Sequence, residues 1–518
     1  MSRFDAIELE VLWQSLIATV NEQAKALQRA AFSPIVREAG DLANAVFDRR
    51  GRMIAQAVTG TPGHINSLAR AASAMLDEYP TEALRPGDVL ITNDPYKTAG
   101  QLLDVTVLCP VFRNGRVIAF FGSTIHHTDV GGYGIGAGAR DVFEEGLWIP
   151  ICRLMVGGQR NDDVWRFILS NVRQPDHMAG DLHAQMASGE VGSQRLSALC
   201  DQHELDDIEE LADEIIQRSE AATRAAISEL PAGTYRADAV LDLADGSTID
   251  IVCAVTVDPD AGEILVDYTG SSGASASGIN VVKNYTHAYT TFTVRSVLNP
   301  DLPNNHGSLA PIKVEAPAGS IVNAVSPQPC TARHVVGMFL PNALLKALAQ
   351  IRPQQAMAEG SGAVWTMQVS GNHDDGRPFI TAMFTYAGGV GARATKPGLS
   401  ACSYPTGVSA VPIEVVEASA PIRFMRKQLR PGSGGHGAQT GGLGQTIEFT
   451  VDTSRPWQLN AVTSRLSDPP QGIFGGQPGA AGSFTVNDEP VRTQARVTLQ
   501  PGDVVRLDLP GGGGYGEA

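Results

Sequence analysis

The chain has 518 residues, a formal net charge of −16, 43% hydrophobic residues and only 18% charged ones. That length suffices for several structural units and a large core without disulfide staples, and the low charge content argues against a disordered polyelectrolyte. The acidic balance argues against a role on duplex nucleic acid, and no apolar run reaches the roughly 18 residues of a membrane span.

The first ten residues carry acids and no apolar signal region. Residues 5–31 read as an amphipathic helix, with Ile7, Val11, Leu12, Leu16, Ile17, Val20, Ala24 and Leu27 at three- and four-residue steps. A hairpin follows over 45–55 with Gly51 at its turn. Residues 64–78 look helical, and 88–92, 104–112 and 116–125 are β-rich. The last two are joined by Arg113-Asn114-Gly115-Arg116, whose Asn-Gly centre predicts a type I′ turn. Residues 161–229 turn helical, with Asn161 or Asp162 as a candidate cap. Alternation over 233–268 predicts antiparallel strands. Helices are expected at 283–298 and 335–351, and short strands between Gly/Pro turns from 411 onward. Six scattered cysteines without a CxxC pair predict buried thiols in a reducing compartment, the cytoplasm by default. The pattern is α+β: a large, multi-layer mixed fold with helical N-terminal and central segments and a β-rich, Gly-rich C-terminal region. The regions run 1–160, 161–230, 231–410 and 411–518.

Four polar stretches lie at strand ends or openings in the first region, where a scaffold fixes residues while loops shape a pocket. They are 37–41, 93–96, 101–104 and 125–129. Asp41, Asp104 and His126, with Gln101, form an oxygen-rich set with one imidazole, a composition that suits Mn²⁺, Zn²⁺ or Mg²⁺. Each also has a structural reading: a turn aspartate, an edge aspartate, a core histidine. His126 and His127 are neighbours on a strand and face opposite sides, so one of them at most enters a given site. Dense glycine segments occur at 388–393, 432–437 and 511–516. They read as turns requiring positive φ or as backbone cradles for anions, the former favoured. Arg393 beside the first would pair with a phosphate or carboxylate. There is no GxxxxGK[ST], HExxH or GxSxG motif, so a nucleotide site of the P-loop kind is absent.

Taken together, Ser33-Pro34-Ile35, Arg37-Glu38-Ala39-Gly40-Asp41, Asn93-Asp94-Pro95-Tyr96, Asp104-Val105-Thr106-Val107, His126-His127-Thr128-Asp129-Val130-Gly131-Gly132, Glu145-Gly146-Leu147-Trp148-Ile149-Pro150, Gly472-Ile473-Phe474-Gly475-Gly476 and the closing glycines resemble the hydantoinase B/oxoprolinase family over nearly the whole chain. The resemblance implies a B-type subunit that works with a larger A-type partner binding ATP on an actin/hexokinase-like fold. The partner phosphorylates an amide or enol oxygen, and this chain completes opening of a hydantoin, lactam or 5-oxoproline. Related subunits carboxylate acetone or acetophenone, and a non-catalytic scaffold or an ATP-independent hydrolase are the remaining alternatives.

The family's metal ligands correspond to Asp41, Asp104 and His126, while Gln101 stands where the first His of a His-x-x-Asp pair belongs. Gln offers one neutral carbonyl oxygen, which moves the expected ion toward Mn²⁺ or Mg²⁺ over Zn²⁺. The resemblance makes Asp104, His126, His127 and Asp129 the catalytic candidates, Asp129 by holding a histidine tautomer. His64 and Arg393 are the substrate-binding candidates. A hetero-oligomer with a small cyclic amide substrate is expected, without nucleic acid or membrane.

Overall fold

The structure is a computed structural model that describes residues 3–58, 60–243, 245–491 and 496–518. Its first layer is a seven-stranded sheet of β1 (Leu42–Asp48), β2 (Met53–Gln56), β3 (Val89–Thr92), β4 (Asp104–Arg113), β5 (Arg116–His126), β6 (Cys152–Val156) and β7 (Gln159–Arg160), ordered β2-β1-β5-β4-β3-β6-β7. All neighbours run antiparallel. The turn between β4 and β5 has Asn114 at φ 51° and Gly115 at φ 76°, both left-handed as a type I′ turn requires.

Helices cover both faces because both faces are apolar. On one side the helix Ala6–Ala30 buries Leu9, Leu12, Trp13, Leu16, Val20, Ala24 and Leu27 against Val46, Ile54, Phe121 and Ile125. Asp5 caps it by accepting from the amides of Ile7 and Glu8 at 2.9 and 2.8 Å. The helix agrees with the periodicity, but its buried stripe runs through Leu9 and Trp13; Ile7 and Val11 point to solvent at 78% and 49% exposure. The long helix Pro175–Gln202 lies on the same side. A Cβ at Gly189 or Gly192 would come 2.6 Å from Cys109 or Phe121, so these two glycines let the helix settle onto β4 and β5. On the opposite face the helix Pro62–Glu78 packs Ile65, Leu68, Ala72 and Met75 over Phe47, Leu90, Leu108 and Phe120.

A second sheet of four strands, Gly233–Asp242, Thr248–Asp258, Glu263–Asp267 and Ile312–Glu315, pairs antiparallel except for its last, parallel, pair. It packs on the helices Lys283–Leu298 and Leu340–Ala349. The helix expected over 335–351 is divided into His334–Gly337 and Leu340–Ala349, because Pro341 cannot continue a preceding helix but suits a first turn. Asn161 sits at the N-cap of Asp162–Ser170 without capping it through its side chain; its amide nitrogen donates instead to Arg153 O at 3.0 Å. The C-terminal region holds two further sheets and, within the stretch expected to be all strand, the helix Ile413–Ser419. The fold is α+β, as expected. The six cysteines are free thiols, three buried and three half-buried. No helix among the described residues is long and apolar enough to cross a membrane.

The glycine segments depart from both expectations. Gly432 and Gly516 do adopt positive φ, at 72° and 73°, but Gly389, Gly391, Gly441, Gly442, Gly511 and Gly512 are outside the left-handed region. The role of these six is close approach. A Cβ on Gly391 would lie 1.8 Å from Ala358 O, on Gly389 1.9 Å from Gly442 O, and on Gly512 2.0 Å from Val390 O. The segments form a bundle of backbones stitched directly together: Gly389 N donates to Pro510 O, Gly442 N to Val390 O, Gly512 N to Gly442 O and Gly435 N to Gly512 O, all at 2.8–2.9 Å. Those amides are spent on carbonyls and are not presented to an anion.

Candidate functional site

The register of three strands builds the site. Asp104 of β4 is paired directly with His126 of β5, and Leu42 of β1 with Ile125. Asp41, Asp104 and His126 therefore meet at one end of the sheet, where His126 N donates to Asp41 O at 3.3 Å. The alternation that buries Val105 and Ile125 on one face turns their neighbours Asp104 and His126 to the other. Gln101 enters from the loop before β4. All four are buried.

His64 is brought in by the helix Pro62–Glu78. Thr61 caps that helix, its hydroxyl accepting from His64 N at 3.2 Å. The imidazole itself lies between two carboxylates, Nδ1 3.1 Å from Asp41 Oδ1 and Nε2 2.9 Å from Asp104 Oδ2. Arg333 comes from the turn just before the helix His334–Gly337. It is 2% exposed and donates from Nη2 to Asp104 Oδ2 and from Nε to Ala99 O. Its guanidinium lies 4.3 Å from the centre of the Tyr285 ring, a cation–π contact.

Burial would raise the carboxyls and lower the imidazole, but the ion pairs prevail. Asp104 is held well below its ordinary value, against burial, by His64, Arg333 and the bond from His126. Asp41 is lowered, again against burial, chiefly by His64. His64 is pushed up to about 10, burial being outweighed by Asp104 and Asp41. The neighbouring His334 is pushed down to about 3 by burial and by Arg333. Two carboxylates are thus matched by an imidazolium and a guanidinium.

Asp104 Oδ1, His126 Nδ1 and Gln101 Nε2 form a triangle with 2.9 Å edges. Hydrogens cannot satisfy all three edges, because Nδ1 offers either one proton or one lone pair. With the Gln101 amide turned over, Oε1 replaces Nε2, and the triangle becomes a face of two oxygens and one nitrogen. Its edge length suits adjacent ligands of a hard divalent ion held at about 2.0–2.1 Å. The donor set therefore fits such an ion through Gln101, Asp104 and His126, with Asp104 Oδ2 left to His64 and Arg333. Asp41 stands outside this face, engaged by His64. No group of three or more His, Cys, Asp or Glu among the described residues is arranged to hold a metal; the face depends on the amide.

The other candidates lie elsewhere. His127 is buried on the opposite side of β5's end, where burial lowers its pKa and Asp181 and Gln185 are its polar neighbours. Asp129 does not hold a histidine: it pairs with Arg173 Nη1 at 2.7 Å and accepts from Gly131 N at 3.0 Å. Arg393 belongs to the glycine bundle, with Nη2 donating to Pro397 O at 2.9 Å. Arg333, Tyr285 and His334 join the site although sequence reasoning does not single them out. A guanidinium opening the apolar stretch 332–349 is the one signal that could have found them.

Asp41, His64, Gln101, His126 and Arg333 line a cavity of about 40 Å³. A larger cavity of about 550 Å³ lies alongside, and Thr61 and Thr406 belong to the walls of both.

The chain belongs to the hydantoinase B/oxoprolinase family, whose model matches residues 5–518. It is 30% identical to the B-type subunit of a putative D-/L-hydantoinase of Pseudomonas sp. (strain NS671), over 100% of this chain and 90% of that protein. The crystal structure of the ATP-dependent caprolactamase from Pseudomonas jessenii superposes with a TM-score of 0.92 at 26% identity, covering 100% of this chain and 92% of that one. The nucleotide-free structure of acetone carboxylase superposes with a TM-score of 0.89 at 18% identity, over 99% of this chain and 76% of that one. This last likeness is one of fold.

Proposed function

We propose that this chain is the B-type subunit of an ATP-dependent cyclic amide hydrolase and that it completes hydrolysis of an intermediate phosphorylated by an A-type partner. The observation that carries the reading is the buried cluster of Asp41, His64, Asp104, His126 and Arg333 at the strand ends, in a chain matched end to end by the family. Two relatives are themselves named as subunits, one of a hydantoinase and one of a caprolactamase, which supports a partner.

An unstrained amide is a poor electrophile. Phosphorylation of its oxygen makes a good acceptor for water. The cavity supplies what the second half of the reaction needs: a carboxylate, Asp41, oriented by His64 to bind and align a water, and cationic groups, His64 and Arg333, that offset negative charge developing beside them. Asp104 keeps both cations in place. A divalent ion held by Gln101, Asp104 and His126 would supply Lewis acidity and favour hydroxide near neutral pH. The inner cavity, at about 40 Å³, has room for an ordered water but not for bulk solvent.

Co-expression with the A-type partner tests the reading. Substrate-stimulated ATP hydrolysis is screened across hydantoins, lactams and 5-oxoproline, and across acetone and acetophenone with and without bicarbonate. Ring opening coupled to ATP supports the proposal. Bicarbonate-dependent turnover of a ketone makes the chain a carboxylase subunit, and ring opening without ATP makes it a standalone hydrolase.

A further inference from the structure

The larger cavity contains a charge that the chain does not answer. Arg295, in the last turn of the helix Lys283–Leu298, is 8% exposed and forms part of the cavity wall. Its Nη1 donates to Asn304 Oδ1 at 2.8 Å and its Nη2 to Leu302 O. Its Nε is buried without a hydrogen-bond partner. No carboxylate among the described residues pairs with it, and burial, the one influence on its pKa, lowers it to about 10. Other buried guanidinia here do have anions: Arg333 has Asp104, and Arg465 has Glu359 and Asp468. A desolvated cation without a counter-charge is costly, and the carbonyls at a helix C-terminus offset only part of that cost.

We infer that Arg295 forms an oxyanion subsite in the 550 Å³ cavity, which receives a carboxylate or phosphate of the substrate while its ring occupies the space toward Thr61 and Thr406. The inference rests on the proposed function for the identity of the ring, and on the cavity alone for the anion. The walls suit the division. Phe292, Leu302 and Tyr404 present apolar surface, while Asn66 and Asn304 stand beside the guanidinium. Asn304 is fixed in turn by Gln56 and by Asn66 Oδ1, 2.7 Å from its Nδ2. Nη1 and Nη2 of Arg295 each keep a second N–H beyond their bonds to Asn304 and Leu302, and a carboxylate or phosphate can accept from them.

Two sources could supply the anion: a carboxylate borne by the substrate ring, or the phosphate added by the partner. Binding to the purified full chain, alone and in complex with the A-type partner, is measured by calorimetry with three probes. These are 5-oxoproline, its neutral analogue 2-pyrrolidinone, and inorganic phosphate. A carboxylate subsite binds 5-oxoproline about ten- to a hundredfold more tightly than 2-pyrrolidinone, and Arg295→Met abolishes that preference. A phosphate subsite binds inorganic phosphate in an Arg295-dependent way without preferring 5-oxoproline. Arg295→Lys, which keeps the charge, restores part of the anion affinity. Far-UV circular dichroism and thermal melting check that both variants are folded. In a turnover assay the Met variant raises KM for the anionic substrate far more than it lowers kcat.

If Arg295 only ties the 302–304 loop to its helix, both variants melt earlier and neither changes the preference among probes. That result, or the absence of Arg295-dependent binding of either anion to the wild-type chain, overturns the subsite. If anions bind as described but no cyclic amide is turned over, the subsite stands and the hydrolase reading fails.

Discussion

The strand-end cavity and the glycine bundle are built by opposite means. In the cavity, each side chain is specified by charge: Asp104 alone faces His64, His126, Gln101 and Arg333. In the bundle, what is specified is the absence of any side chain, so that backbones such as 389, 442 and 512 can hydrogen-bond directly. The first region should tolerate shape-conserving changes with loss of chemistry but retention of fold. The second should tolerate no added atom, whatever its chemistry. Placing the charged groups at the ends of strands in a tightly packed sheet and the bundle elsewhere lets the two requirements be met separately.

The largest expected effect is in the bundle. Gly391→Ala places a methyl 1.8 Å from Ala358 O, where only backbone can yield, and should cost more than the usual range of about 1–3 kcal/mol for overpacking. Loss of soluble protein or a steep fall in melting temperature is expected. Gly273→Ala, with nothing within 4 Å of the new Cβ, should change stability by under about 0.5 kcal/mol. Equal effects of the two would break the comparison.

Next comes Asp104→Ala. It leaves Arg333 and His64 buried without their shared partner, at a cost of about 3–5 kcal/mol, and should abolish turnover. Asp104→Asn keeps the shape and should keep more of the stability while still losing turnover; chemical denaturation and the coupled ATP assay read the two quantities. Full activity in Asp104→Asn would remove the carboxylate from the chemistry.

A smaller effect is expected from pH. Glu145, buried, accepts from the amides of Cys330 and Thr331 at 2.5 and 2.6 Å and so anchors the turn that carries Arg333. Burial pushes its carboxyl from 4.5 up to about 7. Its folded state therefore holds a proton that the unfolded state releases, so its stabilising contribution is full below pH 4.5 and is lost as pH rises through about 7. The change is at most about 3 kcal/mol. Glu145→Gln should flatten the dependence of unfolding free energy on pH between 4.5 and about 7; an unchanged slope would refute the assignment.

The smallest effect is Arg393→Ala. Its guanidinium is tied to Pro397 O in the bundle and lines neither cavity, so the substrate KM should be unchanged. A raised KM would extend the site into the bundle and sharpen the boundary between the two regions.

Much of the fold was legible because it rests on local patterns. The Asn114-Gly115 turn, the paired strands it joins and the helix beginning at Ala6 all follow from periodicity and turn chemistry. The polar stretches carrying Asp41, Asp104 and His126 were visible at strand ends, but the family resemblance favoured reading them as one set, and only the register of β1, β5 and β4 brings them together. The exposed Ile7 and Val11 were less legible, because which apolar stripe is buried depends on the partner surface; the break before Pro341 is local and follows from the proline itself.

By itself the sequence determined five of the seven strands of the first sheet, the family and the identity of the residues at the strand ends, since these depend on neighbours a few positions apart; β6 and β7 were not foreseen. Only the tertiary structure decided that His64 bridges two carboxylates, that Arg333 reaches Asp104 across 229 residues of chain, and that His127, Asp129 and Arg393 serve other contacts. It also decided what the glycines are for. A glycine needed for positive φ and one needed for close approach are the same letter, and only the neighbouring backbone distinguishes them.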